Sequence, residues 1–458
     1  MFTPGLKSNQ GLISAKLSEA ARCIPPNGYY QGNGTVLPLS FGASSSPLGC
    51  RFALMMPLAL QPLPYHTAVR DFLQASDADV WAWFASQRRS PKYAEEVRFE
   101  LLKSAYRIER DAQPALYGAA EQVAGLLGIT APLTIYQAQN PQGLNAELAY
   151  VPGEVHLILH GPITAQLTPV EARGLFGHEL SHYLLWDSWN GEMLITNDIL
   201  QALVTDEHAH PAHFATWRLF RLYTEIFCDR GALAVTGDMQ SVVSTLVKTE
   251  TGVPEVDPQA YLRQADEIFA REDANATGIT HPETFIRARA VRLVHESHPE
   301  ADRLIARMIE GKPGMDELDL LEQERVAGLT RRLLDVFLCR RWLQNDLTLA
   351  HARLYFEDYA PPAETLTDPT LAADLRLVPE SIGDYYCYVL LDFITADRDI
   401  DEPSLAAALL LAEQLGIKPR LKELARKELK LRKNQLEKVD DAKTRLLAEA
   451  DQTTHIAP

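Results

Sequence analysis

The sequence has no long hydrophobic run. A membrane-spanning helix needs about 18 or more consecutive apolar residues, and the best candidate, residues 52–60, is short and broken by Pro57. The first fifty residues lack the basic-then-apolar layout of a secretory signal. Cysteine is scarce and dispersed: Cys23, Cys50, Cys228, Cys339 and Cys387 form an odd set with no C-x-x-C spacing. That excludes a disulfide framework and a cysteine-cluster zinc site, and it reads as reduced thiols in a cytoplasmic protein. Net positive charge is also absent. A formal charge of −17 argues against general binding to nucleic acid or anionic membranes. No internal repeat of fixed period is present.

What remains is a chain of 458 residues with ordinary globular composition, long enough for two or three domains, each with its own core. Residues 1–64 are rich in Gly, Pro, Ser and Asn and read as loop or disorder, with Met55 and Met56 as alternative starts. Residues 65–129 carry a helical pattern, as in Val97, Leu101, Leu102 and Tyr106. Residues 132–136 and 154–160 read as strands separated by a turn around Asn140-Pro141-Gln142-Gly143. Thr168-Pro169-Val170-Glu171 is a helix start: Thr168 caps, Pro169 suits the first position, and Glu171 completes a capping box. Helices are expected near 197–204, 212–236, 282–306 and 316–356, a linker at Pro361-Pro362, and helix through the last eighty residues.

The helix opened by Thr168 carries His178-Glu179-Leu180-Ser181-His182, an H-E-x-x-H sequence. Side chains four apart on a helix share a face, so His178 and His182 can converge on one ion, with Glu179 beside them to take a proton from water. Two histidines rarely hold zinc alone. A metzincin-type third histidine is excluded, because position 185 is Leu and position 188 is Ser. The remaining option is a carboxylate from a later helix. Glu225 and Asp229 lie four apart on an otherwise apolar stretch containing Phe220, Leu222, Ile226 and Phe227. Buried carboxylates are costly unless paired or metal-bound, so Glu225 is the candidate third ligand to a zinc ion. Asp229 is the candidate acceptor for the free ring N–H of His178 or His182. For either motif alone, a solvated helix face is the competing explanation. His208, His210 and His213 read as loop histidines beside Pro211.

With these residues in place, residues 133–293 resemble the HtpX and CAAX-prenyl-protease group of zinc metallopeptidases. The likeness rests on ordered landmarks: Asn145-Ala146 followed by the strand at 154–160, the HELSH motif, Glu225 with Asp229, and Thr280-His281-Pro282 with Arg287. It implies a gluzincin-type fold with one catalytic Zn²⁺ on His178, His182 and Glu225, and Glu179 as general base. It also implies a substrate-binding Asn145, and His281 or Arg287 near the oxyanion. Arg287 in a structural ion pair with Asp229 is the equal alternative. The strand at 154–160 would be an edge that receives an extended substrate. The chain departs from that group in lacking a membrane span, which weighs against membrane-protein or prenyl-peptide substrates. It also has Cys228 where a small Ala is usual.

Residues 385–415 resemble, more weakly, a TerB-type helical module. Asp397, Asp399 and Asp401 alternate there, and a helix cap from Asp401 or Ser404 explains them better than a cation site. The combined reading is a mostly α protein of α+β type, with residues 1–64 as a loop-rich segment and 65–310 as a metallopeptidase domain. Residues 311–375 form a helical connector, and 376–458 a helical module offering a surface to a protein partner. The expected activity is that of a cytoplasmic zinc endopeptidase acting on peptides or proteins, in quality control or stress response. The alternative is a catalytically silent scaffold of the same fold.

Overall fold

The computed structural model describes residues 60–87, 91–139, 143–271, 274–363, 367–378 and 380–453. Residues 1–59 of the expected loop-rich segment, and positions 140–142 of the expected turn, lie outside them. The fold is mostly helical with one small four-stranded mixed sheet. The chain divides into two compact units, one ending at Gly311 and the other running on from Lys312. No helix among the described residues is long and apolar enough to cross a membrane.

The first unit begins with α1 (Pro64–Ser76), α2 (Ala78–Gln87) and α3 (Pro91–Ser104), followed by β1 (Ala105–Arg107) and α4 (Pro114–Leu126). The sheet is completed by β2 (Leu133–Ala138), β3 (Asn145–Val151) and β4 (Glu154–His160), in the order β1-β2-β4-β3. β4 runs parallel to β2 and antiparallel to β3. It is therefore an interior strand, which corrects the expectation of an edge at 154–160. Its central residues Val155, His156, Leu157, Ile158 and Leu159 are all buried, and uninterrupted burial belongs to a strand covered on both faces. The edges are β1 and β3, and β3 itself carries Asn145-Ala146. Tyr106, expected in a helix, instead pairs with Gln137 in β1 and faces solvent.

Seven longer helices and one short turn then build the platform beneath the sheet: α5 (Ile163–Gln166), α6 (Pro169–Asp187), α7 (Glu192–Thr205), α8 (Pro211–Thr236), α9 (Met239–Thr251), α10 (Pro258–Arg271), α11 (Thr284–His295) and α12 (Ala301–Glu310). The capping box of α6 is present, with Glu171 N donating to Thr168 Oγ1 and Thr168 N donating to Glu171 Oε2. The region expected to be helical over 282–306 holds two helices, parted at Ser297, whose φ is +51°. At the start of α8, His210 Nδ1 accepts from Ala212 N and His213 Nδ1 accepts from His210 N, so both histidines serve as caps.

The crossing of α6 and α8 sets the geometry of everything that follows. A Cβ on Gly231 would stand 1.8 Å from Ser181 Oγ, and one on Gly177 would stand 2.4 Å from Val235 Cγ2. Glycine at both positions lets the two backbones approach closely. The turns that bear His178, His182, Glu225 and Asp229 are thereby pressed together.

Among the described residues the second unit holds only helices: α13 (Leu320–Phe337), α14 (Asp346–Tyr355), α15 (Leu371–Arg376), α16 (Glu380–Thr395), α17 (Asp401–Leu415), α18 (Lys418–Glu428) and α19 (Lys433–Thr453), with short 3₁₀ turns between some of them. One apolar cluster runs from Leu318 through Leu333, Tyr386, Leu409 and Leu421 to Leu447, so residues on both sides of position 375 share a core. The acidic turn is capped by Asp397, whose Oδ1 accepts from Asp399 N and whose Oδ2 accepts from Asn345 Nδ2. This replaces the expected caps Asp401 and Ser404; Ser404 is buried with no hydrogen bond to its Oγ.

Candidate metal centre

His178 and His182 stand one turn apart on α6 with ring centroids 5.1 Å apart. Facing them from α8, Glu225 is buried and directs its carboxylate between the two rings. Oε2 lies 3.4 Å from His178 Nε2, and Oε1 lies 3.6 Å from His182 Nε2. Oε2 is fully enclosed and makes no close hydrogen bond; its charge is met at 3.4 Å by His178 Nε2 and by Arg287 Nη2. Burial pushes the Glu225 carboxyl up, but His178, Arg287 and His281 outweigh it and hold it well below the usual carboxylate range.

These donors fit zinc. Tetrahedral bonds of about 2.1 Å place neighbouring ligand atoms about 3.4 Å apart, the spacing found between Glu225 and the two imidazoles. Oε2, buried and without a close hydrogen bond, has a lone pair left for a metal ion. Two imidazoles and one carboxylate also form a donor set used by catalytic zinc.

His178 is oriented from behind. Its Nδ1 lies 3.0 Å from Asp229 Oδ1, and Asp229 receives two further hydrogen bonds from Arg287, Nε to Oδ2 at 2.8 Å and Nη2 to Oδ1 at 2.7 Å. Burial opposes a charge on His178, but Asp229 and Glu225 outweigh it and push the imidazole up to about 10; Nδ1 faces Asp229 and Nε2 faces Glu225. Burial opposes the charge on Asp229, but Arg287 and His178 prevail and keep its carboxyl low. Of the two partners the sequence allows for Asp229, the structure selects His178. The Arg287 guanidinium is bound up in this ion pair, with Nη2 3.4 Å from Glu225 Oε2. His182 is braced differently, its ring stacked 6.5 Å from that of Trp186, and burial pulls it down to about 3. A neutral imidazole is the form that ligates a metal.

Glu179 lies buried between the two histidines in sequence. Burial, then Glu225 and Glu147, pushes its carboxyl up to about 8 against the opposing charge of His178. A carboxyl tuned toward neutrality suits proton transfer at physiological pH. His281 approaches from the segment before α11, Nε2 3.4 Å from Glu225 Oε1, with its side chain 58% exposed. Asn145 sits at the exposed start of edge strand β3, in register with His160.

Two neighbours were not singled out by sequence reasoning as members of the site. Cys228, noted above only as a departure from the usual Ala, stands with His178 and His182 in a group whose ligand atoms lie within 4.8 Å of one another. The signal was available, since three residues beyond Glu225 is the same helix face. Burial pushes the Cys228 thiol far up, while the Glu225 carboxylate stands 3.4 and 3.6 Å from the two imidazoles. Glu147 on β3 is the other, close enough for its charge to act on Glu179.

No family model matches the chain, and no solved structure does. Among curated proteins, the chain is 28% identical over 202 residues to the plastoglobule-localized metallopeptidase 48, chloroplastic, of Arabidopsis thaliana. That similarity covers 40% of this chain, which in turn spans 58% of the relative's length. Over part of its length, the chain is thus similar to a metallopeptidase.

Proposed function

We propose that the chain is a zinc-dependent endopeptidase with His178, His182 and Glu225 as ligands. The observation that supports this reading best is the buried Glu225 carboxylate set against two imidazoles, Oε2 toward His178 and Oε1 toward His182, with Glu179 beside them on the same helix. When bound, zinc would supply Lewis acidity that polarises the scissile carbonyl and acidifies the attacking water. Glu179 takes the proton from that water and returns it to the leaving nitrogen. His281, on the open side of the ligand set, donates to the developing oxyanion. Arg287, engaged with Asp229, holds the histidine scaffold in place.

An extended peptide would add to the side of β3 that pairs with no other strand among the described residues, starting beside Asn145, through main-chain hydrogen bonds. The three described cysteines are free thiols, consistent with a reducing cytoplasm. Within this reading, the helical second unit offers a surface to a protein partner, with a role in quality control or stress response. The test is metal analysis of the purified full chain together with cleavage of casein, with and without chelator. One zinc per chain and chelator-sensitive cleavage are expected. Cleavage that survives complete zinc removal would exclude the reading.

A further inference from the structure

We propose that Arg218 is a positioning residue: by gripping the backbone of the segment that carries His281, it holds that imidazole over the candidate metal site. The inference rests on the endopeptidase reading for what His281 does, and on geometry alone for how His281 is held.

Arg218 lies on α8 two turns before Glu225, so both project from one side of the helix. Its Nε donates to Gly278 O at 2.8 Å, and its Nη2 donates to Ala276 O. The opposite side of the same segment is held by Glu283, which accepts from Thr277 N at 3.0 Å, from Gly278 N at 3.2 Å, and from Thr277 Oγ1. Ala276 N donates to Met308 O at 2.7 Å, tying the segment's start to α12. The turn then closes on itself. A Cβ on Gly278 would stand 2.0 Å from His281 O, so only glycine permits the approach.

The imidazole has little support of its own. Its Nδ1 meets only the adjacent Thr280 Oγ1, at 2.9 Å, and its side chain is more exposed than buried. It still reaches Glu225 Oε1 at 3.4 Å. The backbone clamp therefore sets where the ring sits. Arg218 is the member of that clamp that comes from the helix bearing Glu225, so it fixes the distance between the His281 segment and a metal ligand. Its forked guanidinium suits two carbonyls at once, whereas a lysine could replace one bond at best.

The experiment uses the full chain as wild type, R218A, R218K, H281A and R218A/H281A. Backbone hydrogen exchange of residues 274–283, in chelator-treated protein, reads the clamp without reference to activity. Exchange at least about 10-fold faster in R218A, with α6 unchanged, is expected; unchanged exchange overturns the proposal. In zinc-loaded protein, R218A should keep its zinc and lose about 10- to 100-fold in kcat, with KM moving by less than about 3-fold. R218K should fall between R218A and wild type, and it carries the test if R218A fails to fold. The double variant should be no slower than H281A; additive losses, or zinc lost with R218A, overturn the proposal. Absence of cleavage by the wild type would remove the endopeptidase reading and leave the exchange result to decide the clamp.

Discussion

Arg287 closes on Asp229 with two hydrogen bonds, 2.8 and 2.7 Å long, both side chains largely shielded from water. Through Asp229 the pair fixes His178. Removing one partner of a buried pair strands the other charge, a loss of about 3–5 kcal/mol. R287A should therefore lower the unfolding free energy of chelator-treated protein, measured in urea, by that amount and weaken zinc binding, whereas R287K should recover part of both. An R287A variant as stable as wild type would show that Asp229 needs no such partner.

The α6–α8 crossing makes a second prediction. Alanine at position 231 would place its Cβ inside Ser181, so G231A should cost about 1–3 kcal/mol by overpacking and spread the ligands. G118A is the control, since a Cβ there meets nothing within 4 Å. Denaturation midpoints and zinc stoichiometry of the two variants check this. Equal zinc retention in both would mean that the crossing tolerates more separation than the geometry allows.

Much of this site was legible because its signals are local. The capping box at Thr168 and Glu171, the four-residue spacing of His178 and His182, and carboxylates on an apolar helix at Glu225 and Asp229 all lie within single helices. The sheet was less legible. An apolar run such as Val155–Leu159 reads alike at an edge and in the interior until its partners are known, and β2 and β3 are set by non-local pairing. The helices α9 and α10 went unassigned, although Asp238 caps the first and Gly252, at φ +72°, ends it. Arg218 could not be recognised at all, because its acceptors are backbone carbonyls some sixty residues further on.

Glu171 should contribute to acid sensitivity. Burial pushes its carboxyl up, but Ser244, Lys248 and Thr168 outweigh that and hold it below the usual range. A depressed folded pKa contributes stability in full above the unfolded value, about 4.3, and the contribution is lost as pH falls through the folded value. The gap in unfolding free energy between wild type and E171Q should be constant from pH 6 to 8 and should narrow below about pH 4. A gap that widens in acid would reverse the sign.

Ligand identity separates Glu225 from Cys228. E225A should lose zinc by one to several orders of magnitude in affinity, whereas C228A should retain it within about 10-fold. Zinc titration of both variants reads this directly. The opposite pattern would transfer the third position to the thiol.

The central claim is that Glu179 moves the proton while others hold the metal. Zinc content and peptide cleavage measured side by side on wild type and E179Q test it most directly. E179Q should bind one zinc per chain as wild type does and lose hydrolysis by about 10²- to 10⁴-fold. Undiminished cleavage by zinc-loaded E179Q would contradict the account.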